Sequence, residues 1–301
     1  MDKFRLGRHI NISNTFYTTP WYAKNLGYDI FQIFLSFPYK ILSNTESKNQ
    51  FTLLGKELVK RDVIMVIHGS YTINLCHPPD STRFKVSLKS LVRDLDASHL
   101  IGENCLGVII HMGKNIIANN IPDKQALNNY VIGLKKALNA TPFTTTIILE
   151  TGASQGSEVG SKINKLTEIY KMLTQQERKR ITFCIDTCHI WATGYDISDS
   201  VGVNKFFNEF NDKIGINKIS CIHFNDSKTP LDSHVDRHAD LGYGFIGKTG
   251  LKSIAKFAKK NNIPLITETP LDAINKTTNQ EVTFKEEIDT MKLWTKSNSA
   301  T

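Results

Sequence analysis

At 301 residues, with 40% hydrophobic and 22% charged side chains, the chain suits a globular α/β domain, and this composition excludes disordered, collagenous and disulfide-scaffold proteins. No run of 18 apolar residues exists, which excludes a membrane-spanning helix, and the opening MDKFRLGRHIN lacks the apolar stretch of a secretory leader. The 37 lysines and arginines against 29 aspartates and glutamates give a net charge of +8, a modest bias toward polyanionic partners.

The first three β-branched runs are 6–12 (LGRHINI), 29–35 (DIFQIFL) and 62–68 (DVIMVIH). Val86, Leu88, Leu91, Val92 and Leu95 then recur at helical spacing. The fourth strand is 106–111 (LGVIIH), followed by the stripe Leu127, Val131, Leu134 and Leu138. The fifth, 145–150 (TTIILE), precedes Ile163, Leu166, Ile169 and Leu173. The sixth, 181–186 (ITFCID), precedes Val203, Phe206, Phe207 and Phe210. The seventh, 218–223 (KISCIH), precedes Leu251, Ile254, Ala255 and Ala258. The eighth, 263–268 (IPLITE), precedes Phe284, Ile288 and Met291. Each stripe reads as a helix facing a core. Strand–helix units without a long linker predict one domain over 1–296, a TIM (β/α)8 barrel in preference to a doubly wound sheet, with 297–301 as a tail.

The strand ends carry the chemistry. His68, His111, Glu150, Asp186, His223 and Glu268 close strands three to eight, at intervals of 43, 39, 36, 37 and 45 residues. Each interval is one strand-plus-helix unit, so all six side chains arrive at the carboxyl-end face of a barrel. Two residues back on each strand stand Val66, Ile109, Ile148, Cys184, Cys221 and Ile266, which share the face of the polar residues and suit a packed interior below them. A single histidine closing a strand is an ordinary hydrogen-bonded core residue. Six imidazoles and carboxylates at one level are not, because buried charge needs pairing or a metal.

Further candidates lie close by. DTCH supplies His189 after Asp186, and HVDRH (234–238) supplies Asp236 and His238 at the same parity, with His234 as a rival. Nitrogen and carboxylate donors suit zinc, with manganese or iron as alternatives, and nine donors imply two or three ions. The five cysteines read as reduced, buried thiols in an intracellular protein, cytoplasmic or nuclear, a DNA-virus origin included. GYGFIG (242–247) matches a dinucleotide fingerprint but follows the seventh strand rather than the first. It reads as a tight loop beside the site, with no nucleotide cofactor. His9 reads as a hydrogen-bond partner of a ligand, His77 as a turn residue and His99 as solvated. The runs QERKR (176–180) and KFAKK (256–260) read as solvated faces.

These residues resemble the endonuclease IV family of apurinic/apyrimidinic (AP) endonucleases. The matching segments are HGSYTINL (68–75), IIHMG (109–113), ILETGASQG (148–156), CIDTCHIWATGYD (184–196), HFNDSK (223–228), DRHADLGYGFIG (236–247) and TETP (267–270), in family order along nearly the whole chain. The resemblance implies a TIM barrel with three zinc ions that cleaves the phosphodiester 5′ to an abasic site in duplex DNA, with 3′-repair diesterase activity beside it. It implies that His68, His111 and Glu150 hold one ion, that Glu150 bridges to a second held by Asp186, His223 and Glu268, and that His189, Asp236 and His238 hold the third. Glu150 is then the catalytic bridge and Tyr71 a DNA-contacting wedge, in a protein that works as a monomer away from membranes. The chain departs from the family at Thr151 and Gly152, where many members carry Asn-Thr, at Thr72, and in SFPYK (36–40), which lacks an arginine found there in many members.

Two other classes compete. A sugar isomerase or epimerase on a xylose-isomerase-like barrel uses one metal and would need only Glu150, Asp186, His223 and Glu268. The other five donors separate it from a nuclease. A non-catalytic module with structural zinc would use closed, cysteine-rich sites, whereas these donors contain no cysteine.

Overall fold

The computed structural model describes residues 3–12, 16–35, 44–275, 277 and 279–296. Eight strands form its centre: β1 (Leu6–His9), β2 (Ile30–Phe34), β3 (Ile64–His68), β4 (Cys105–Ile110), β5 (Ile147–Glu150), β6 (Ile181–Asp186), β7 (Ile219–His223) and β8 (Leu265–Thr267). All are parallel, neighbours in sequence pair with one another, and β1 closes the cylinder by pairing with both β2 and β8. All eight expected strands are present, and the sheet is the closed barrel rather than the open one.

Parallel strands need apolar residues on both faces, because helices cover one and the barrel interior the other. Ile30, Ile64, Val66, Ile109, Ile148, Cys184, Cys221 and Ile266 point inward as one enclosed cluster. Alternating with them, Phe31, Ile33, Met65, Ile67, Val108, Ile110, Leu149 and Phe183 point outward into the helical layer. Closure depends on Gly7. A Cβ there would stand 1.6 Å from the carbonyl oxygen of Ile30, so no larger residue admits the β1–β2 pairing.

The helices are α1 (Thr19–Asn25), α2 (Asn44–Arg61), α3 (Thr82–Ile101), α4 (Asp123–Ala140), α5 (Ile163–Lys171), α6 (Gln175–Arg178), α7 (Thr187–Ala192), α8 (Ser200–Lys213), α9 (Gly247–Lys260) and α10 (Phe284–Trp294). The stripes assigned to α4, α8 and α9 are buried throughout. Those of α3 and α10 need correction. Val86 is exposed, whereas Leu91 and Leu95 are buried as expected and Leu88 and Val92 are half-buried against the core; α3 also buries Phe84, Ser87 and Asp94, which lie outside the expected stripe. Ser87 and Asp94 carry no apolar signal, so the stripe placed the first turn at Val86 in their stead. Phe284 is exposed at the start of α10, with the Arg8 guanidinium 4.9 Å from its ring centre.

Arg180 also differs from the expected solvated run. It is buried, donating to the carbonyls of Leu138 and Thr145 and to the hydroxyls of Thr141 and Thr145. Its rigid fork ties the end of α4 to the start of β5. Segments 36–40 and 297–301 lie outside the described residues. No helix among the described residues is long and apolar enough to cross a membrane.

Candidate metal centre

Because the strands run parallel, the last residues of β3, β5, β6 and β7 reach one rim. These are His68, Glu150, Asp186 and His223, all buried. His111 and Glu268 follow β4 and β8 directly. Asp186 and His223 are register partners on adjacent strands. The side chain of Asp186 also caps α7 by accepting from the His189 amide at 3.0 Å, which sets His189 one helical turn beyond it.

The nine candidate ligands fall into three groups that could hold a metal ion, with the donor atoms of each group within 4.8 Å of one another. His68, His111 and Glu150 form one group. Glu150, Asp186, His223 and Glu268 form another, and His189, Asp236 and His238 the third. Glu150 belongs to two groups: Oε2 lies 3.2 Å from His111 Nδ1 and 3.5 Å from His68 Nε2, while Oε1 lies 2.8 Å from His223 Nδ1. Asp236 spans its pair, 3.1 Å from His189 Nε2 through Oδ2 and 3.1 Å from His238 Nε2 through Oδ1. His238 Nε2 is also 3.5 Å from Asp186 Oδ2, which joins the second group to the third.

These residues fit metal ions on their own geometry. His111 Nε2, Glu150 Oε2, His189 Nε2 and His238 Nε2 are buried without a hydrogen-bond partner among the described residues. An unsatisfied buried polar atom costs about 1–3 kcal/mol. Several stand 3.1–3.5 Å from a partner of opposite character yet are not aimed at it. Donor atoms that converge on shared points in this way suit a cation between them. Imidazole and carboxylate donors match zinc, manganese or iron.

Ring orientation points the same way. Nδ1 of His68 donates to the Gly69 carbonyl at 2.8 Å, Nδ1 of His189 to that of Thr151 at 2.6 Å, and Nδ1 of His238 to that of Glu268 at 3.3 Å. Each bond leaves Nε2 with a lone pair for coordination.

Charge in the cluster is mutually dependent. Burial opposes ionisation of Glu150, but His111, His223 and His68 overcome it and hold the carboxyl well below its usual range. Burial opposes protonation of His223 and His238, yet Glu268 and Glu150 raise the first to about 10, and Asp186 and Asp236 raise the second to about 9. Burial lowers His111 to about 4. Four clustered carboxylates demand compensating positive charge, from protons on the imidazoles or from metal ions that displace those protons. Cys188 also lies near Asp186 and His238. Burial pushes its thiol up to about 12, which keeps it from supplying a thiolate.

The remaining candidates separate. His234 is exposed in a left-handed backbone conformation with its ring against Asp232, outside all three groups. His99 is exposed, with Thr144 as its partner, and His77 is buried at a bend. His9 does not reach a ligand by hydrogen bond. It stands 3.9 Å from Glu268 and accepts instead from Gln32 at 2.9 Å. Tyr71 is 69% exposed, with its ring centre 5.2 Å from that of His111 and 5.3 Å from that of His68, so it borders the cleft.

Several supporting residues escaped the sequence reading. Gln32 is buried between His223 and Glu268. Its signal was a lone polar residue at inward parity in an apolar strand. Asn225 donates to Asp186 at 2.9 Å and accepts from the Glu268 amide at 2.8 Å. Asp226 accepts from the amides of Gly242, Gly244, Ile246 and Gly247, which folds the GYGFIG loop over the rim. A Cβ on Gly244 would stand 2.3 Å from the Ser227 carbonyl, so the loop needs glycine there. Thr151, one of the departures from the family pattern, accepts from the Asp186 amide through its hydroxyl at 2.9 Å and holds His189 through its carbonyl.

A closed eight-stranded barrel with donors gathered on its carboxyl-end rim defines a class, and the family described as Xylose isomerase-like TIM barrel matches residues 22–294. Within that class the chain belongs to the endonuclease IV family of AP endonucleases. It is 63% identical over 292 residues to a putative endonuclease 4 of Acanthamoeba polyphaga mimivirus, covering 97% of this chain and 94% of that protein. It is 32% identical over 276 residues to apurinic-apyrimidinic endonuclease 1 of Saccharomyces cerevisiae, covering 90% and 73%. The crystal structure of endonuclease IV from Thermus thermophilus matches with a TM-score of 0.76 at 25% identity, covering 96% of this chain and 98% of that one.

Proposed function

We propose that this chain is a zinc-dependent AP endonuclease of base excision repair. It hydrolyses the phosphodiester 5′ to an abasic site in duplex DNA, leaving a 3′-hydroxyl and a 5′-deoxyribose phosphate, and the same site serves as a 3′-repair diesterase. By family it is a DNA-cleaving hydrolase. It acts as a monomer with no nucleotide cofactor.

The observation that carries this reading is the linkage of three donor groups through Glu150 and through Asp186 with His238. A one-metal isomerase needs the second group alone. Bound ions would neutralise phosphate charge and acidify water close to it. His68 and His111 would hold one ion with Glu150, Asp186, His223 and Glu268 would hold another with the same carboxylate, and His189, Asp236 and His238 would hold the third. Glu150 fixes the spacing between the first two groups. Asn225 and Thr151 restrain Asp186, which keeps the second group in register with the third.

Substrate selection follows from the cleft. An abasic nucleotide has no base to unstack, so swinging it out of the helix costs less than extruding an intact one. Tyr71, exposed at the edge of the donor cluster, is placed to fill the gap it leaves. The net charge of +8 favours phosphate contacts that carry no sequence information.

The test pairs elemental analysis with a nicking assay on duplexes containing one abasic site. Two to three zinc equivalents with abasic-dependent nicking is the expected result. One ion with sugar-isomerising activity and no nicking would replace this reading with the isomerase.

A further inference from the structure

Four of the five histidines in the cluster have a hydrogen-bond partner that orients the ring, and one of the four differs in kind. His68, His189 and His238 each donate Nδ1–H to a main-chain carbonyl. His223 is turned the other way. Its Nδ1 faces Glu150 at 2.8 Å and Glu268 at 3.2 Å, and its Nε2 lies 2.7 Å from the side-chain oxygen of Gln32.

The Gln32 amide cannot be reversed. Its nitrogen lies 2.6 Å from Glu268 Oε1 and 2.9 Å from His9 Nδ1. A flipped amide would set its carbonyl oxygen against the Glu268 carboxylate. Glu268 therefore fixes the amide, and the amide oxygen demands a proton on His223 Nε2, which leaves Nδ1 free to coordinate. Gln32 is fully buried at inward parity on β2, and its side chain reaches across the barrel interior to His223 on β7, so water does not replace it.

We propose that Gln32 is a positioning residue for the metal centre. It selects the Nδ1-coordinating tautomer of His223 and at the same time aims the Glu268 carboxylate, so two of the four donors of the second group depend on one side chain that is not itself a ligand. The inference rests on the metal reading above. It gives a role in the centre to β2, which like β1 supplies no ligand to it. Main-chain carbonyls cannot be mutated away from His68, His189 or His238, whereas one substitution removes the side-chain hydrogen bonds that orient His223 and Glu268.

The test uses the zinc-loaded protein and Gln32→Met, a substitution that keeps the volume and deletes the hydrogen bonds to His223, Glu268 and His9. Chelator competition followed by elemental analysis reads the ions retained. Long-range proton–nitrogen spectra of the loaded parent read the His223 tautomer. The expected result is a folded variant that loses one zinc equivalent at a chelator concentration about 10–100-fold below that needed for the parent, with His223 of the parent protonated at Nε2. A folded variant that retains its full complement at the parent's chelator concentration overturns the role of Gln32. So does a loaded parent with His223 protonated at Nδ1, a measurement that stands even where the variant fails to fold. A parent that takes up no zinc overturns the metal reading itself, which keeps the two failures apart.

Discussion

Glu150 and His223 sit at the ends of β5 and β7 and meet at 2.8 Å, Oε1 to Nδ1, although β6 lies between their strands. The contact brings the second donor group against the first, since the other oxygen of the same carboxylate faces His68 and His111.

Glu150→Gln keeps the shape of the bridge and removes its charge. Nicking of abasic duplex is expected to fall by about 10²–10³-fold, the scale of losing several kcal/mol of transition-state stabilisation. Binding of the same duplex should change little, because it rests on phosphate contacts. Single-turnover rates and equilibrium binding measured side by side decide it. Wild-type turnover in the variant would remove Glu150 from the bridging position.

Stripping metal with a chelator should abolish nicking and also lower the melting temperature. The donor cluster is buried, and without cations it holds four carboxylates and several unsatisfied nitrogens. Thermal melts of stripped and zinc-reloaded protein should differ by several degrees, with the higher value restored by zinc. Identical melts would show that the cluster is stable without ions.

Asp94 lies on the buried face of α3. Arg93 engages Oδ1 at 2.9 Å, and Oδ2 has no partner among the described residues. Burial raises its carboxyl to about 6, against the partial compensation of Arg93. Between about pH 4 and 6 the folded protein thus holds a proton that the unfolded chain releases. Its contribution favours folding below that window and is lost as pH rises through it. Asp94→Asn should stabilise the protein by about 1–2 kcal/mol at pH 7.5 and by much less at pH 4. Denaturant melts at the two pH values give the comparison, and equal effects at both would rule out a buried ionised carboxylate.

Tyr71→Ala should slow cleavage of abasic duplex several-fold more than cleavage of a single-stranded abasic substrate. The ring borders the cleft and can occupy the space of an extruded nucleotide, whereas a single strand has no stack to hold open. If the tyrosine only packs the loop onto the barrel, both rates and the melting temperature should fall together, and the ratio of rates would stay at the parental value.

Most of the barrel was legible in the sequence. Strands buried on both faces must be apolar and short, so DVIMVIH or ITFCID can be read without a partner, and a polar residue at the end of such a run stands out. The donors His68, His111, Glu150, Asp186, His223 and Glu268 were found for that reason. On α3 the apolar stripe located the face through Leu91 and Leu95, but the buried polar Ser87 and Asp94 were not legible, because hydrophobicity alone does not mark a polar residue as buried. Arg180 looked solvated for the converse reason: its acceptors lie on α4 and in the segment between α4 and β5, far away in sequence.

By itself, the sequence determined which side chains could bind metal and at what level of the barrel they stand, because strand periodicity and the length of a strand–helix unit are local properties of the chain. Tertiary structure decided which donors stand together, and it separated His238 from His234, two residues of equal parity in one short segment. It also decided which ring nitrogen each histidine offers. That choice is set by hydrogen bonds to Gly69, Thr151, Glu268 and Gln32, and three of these four arise only when the closed barrel brings distant strands and loops together.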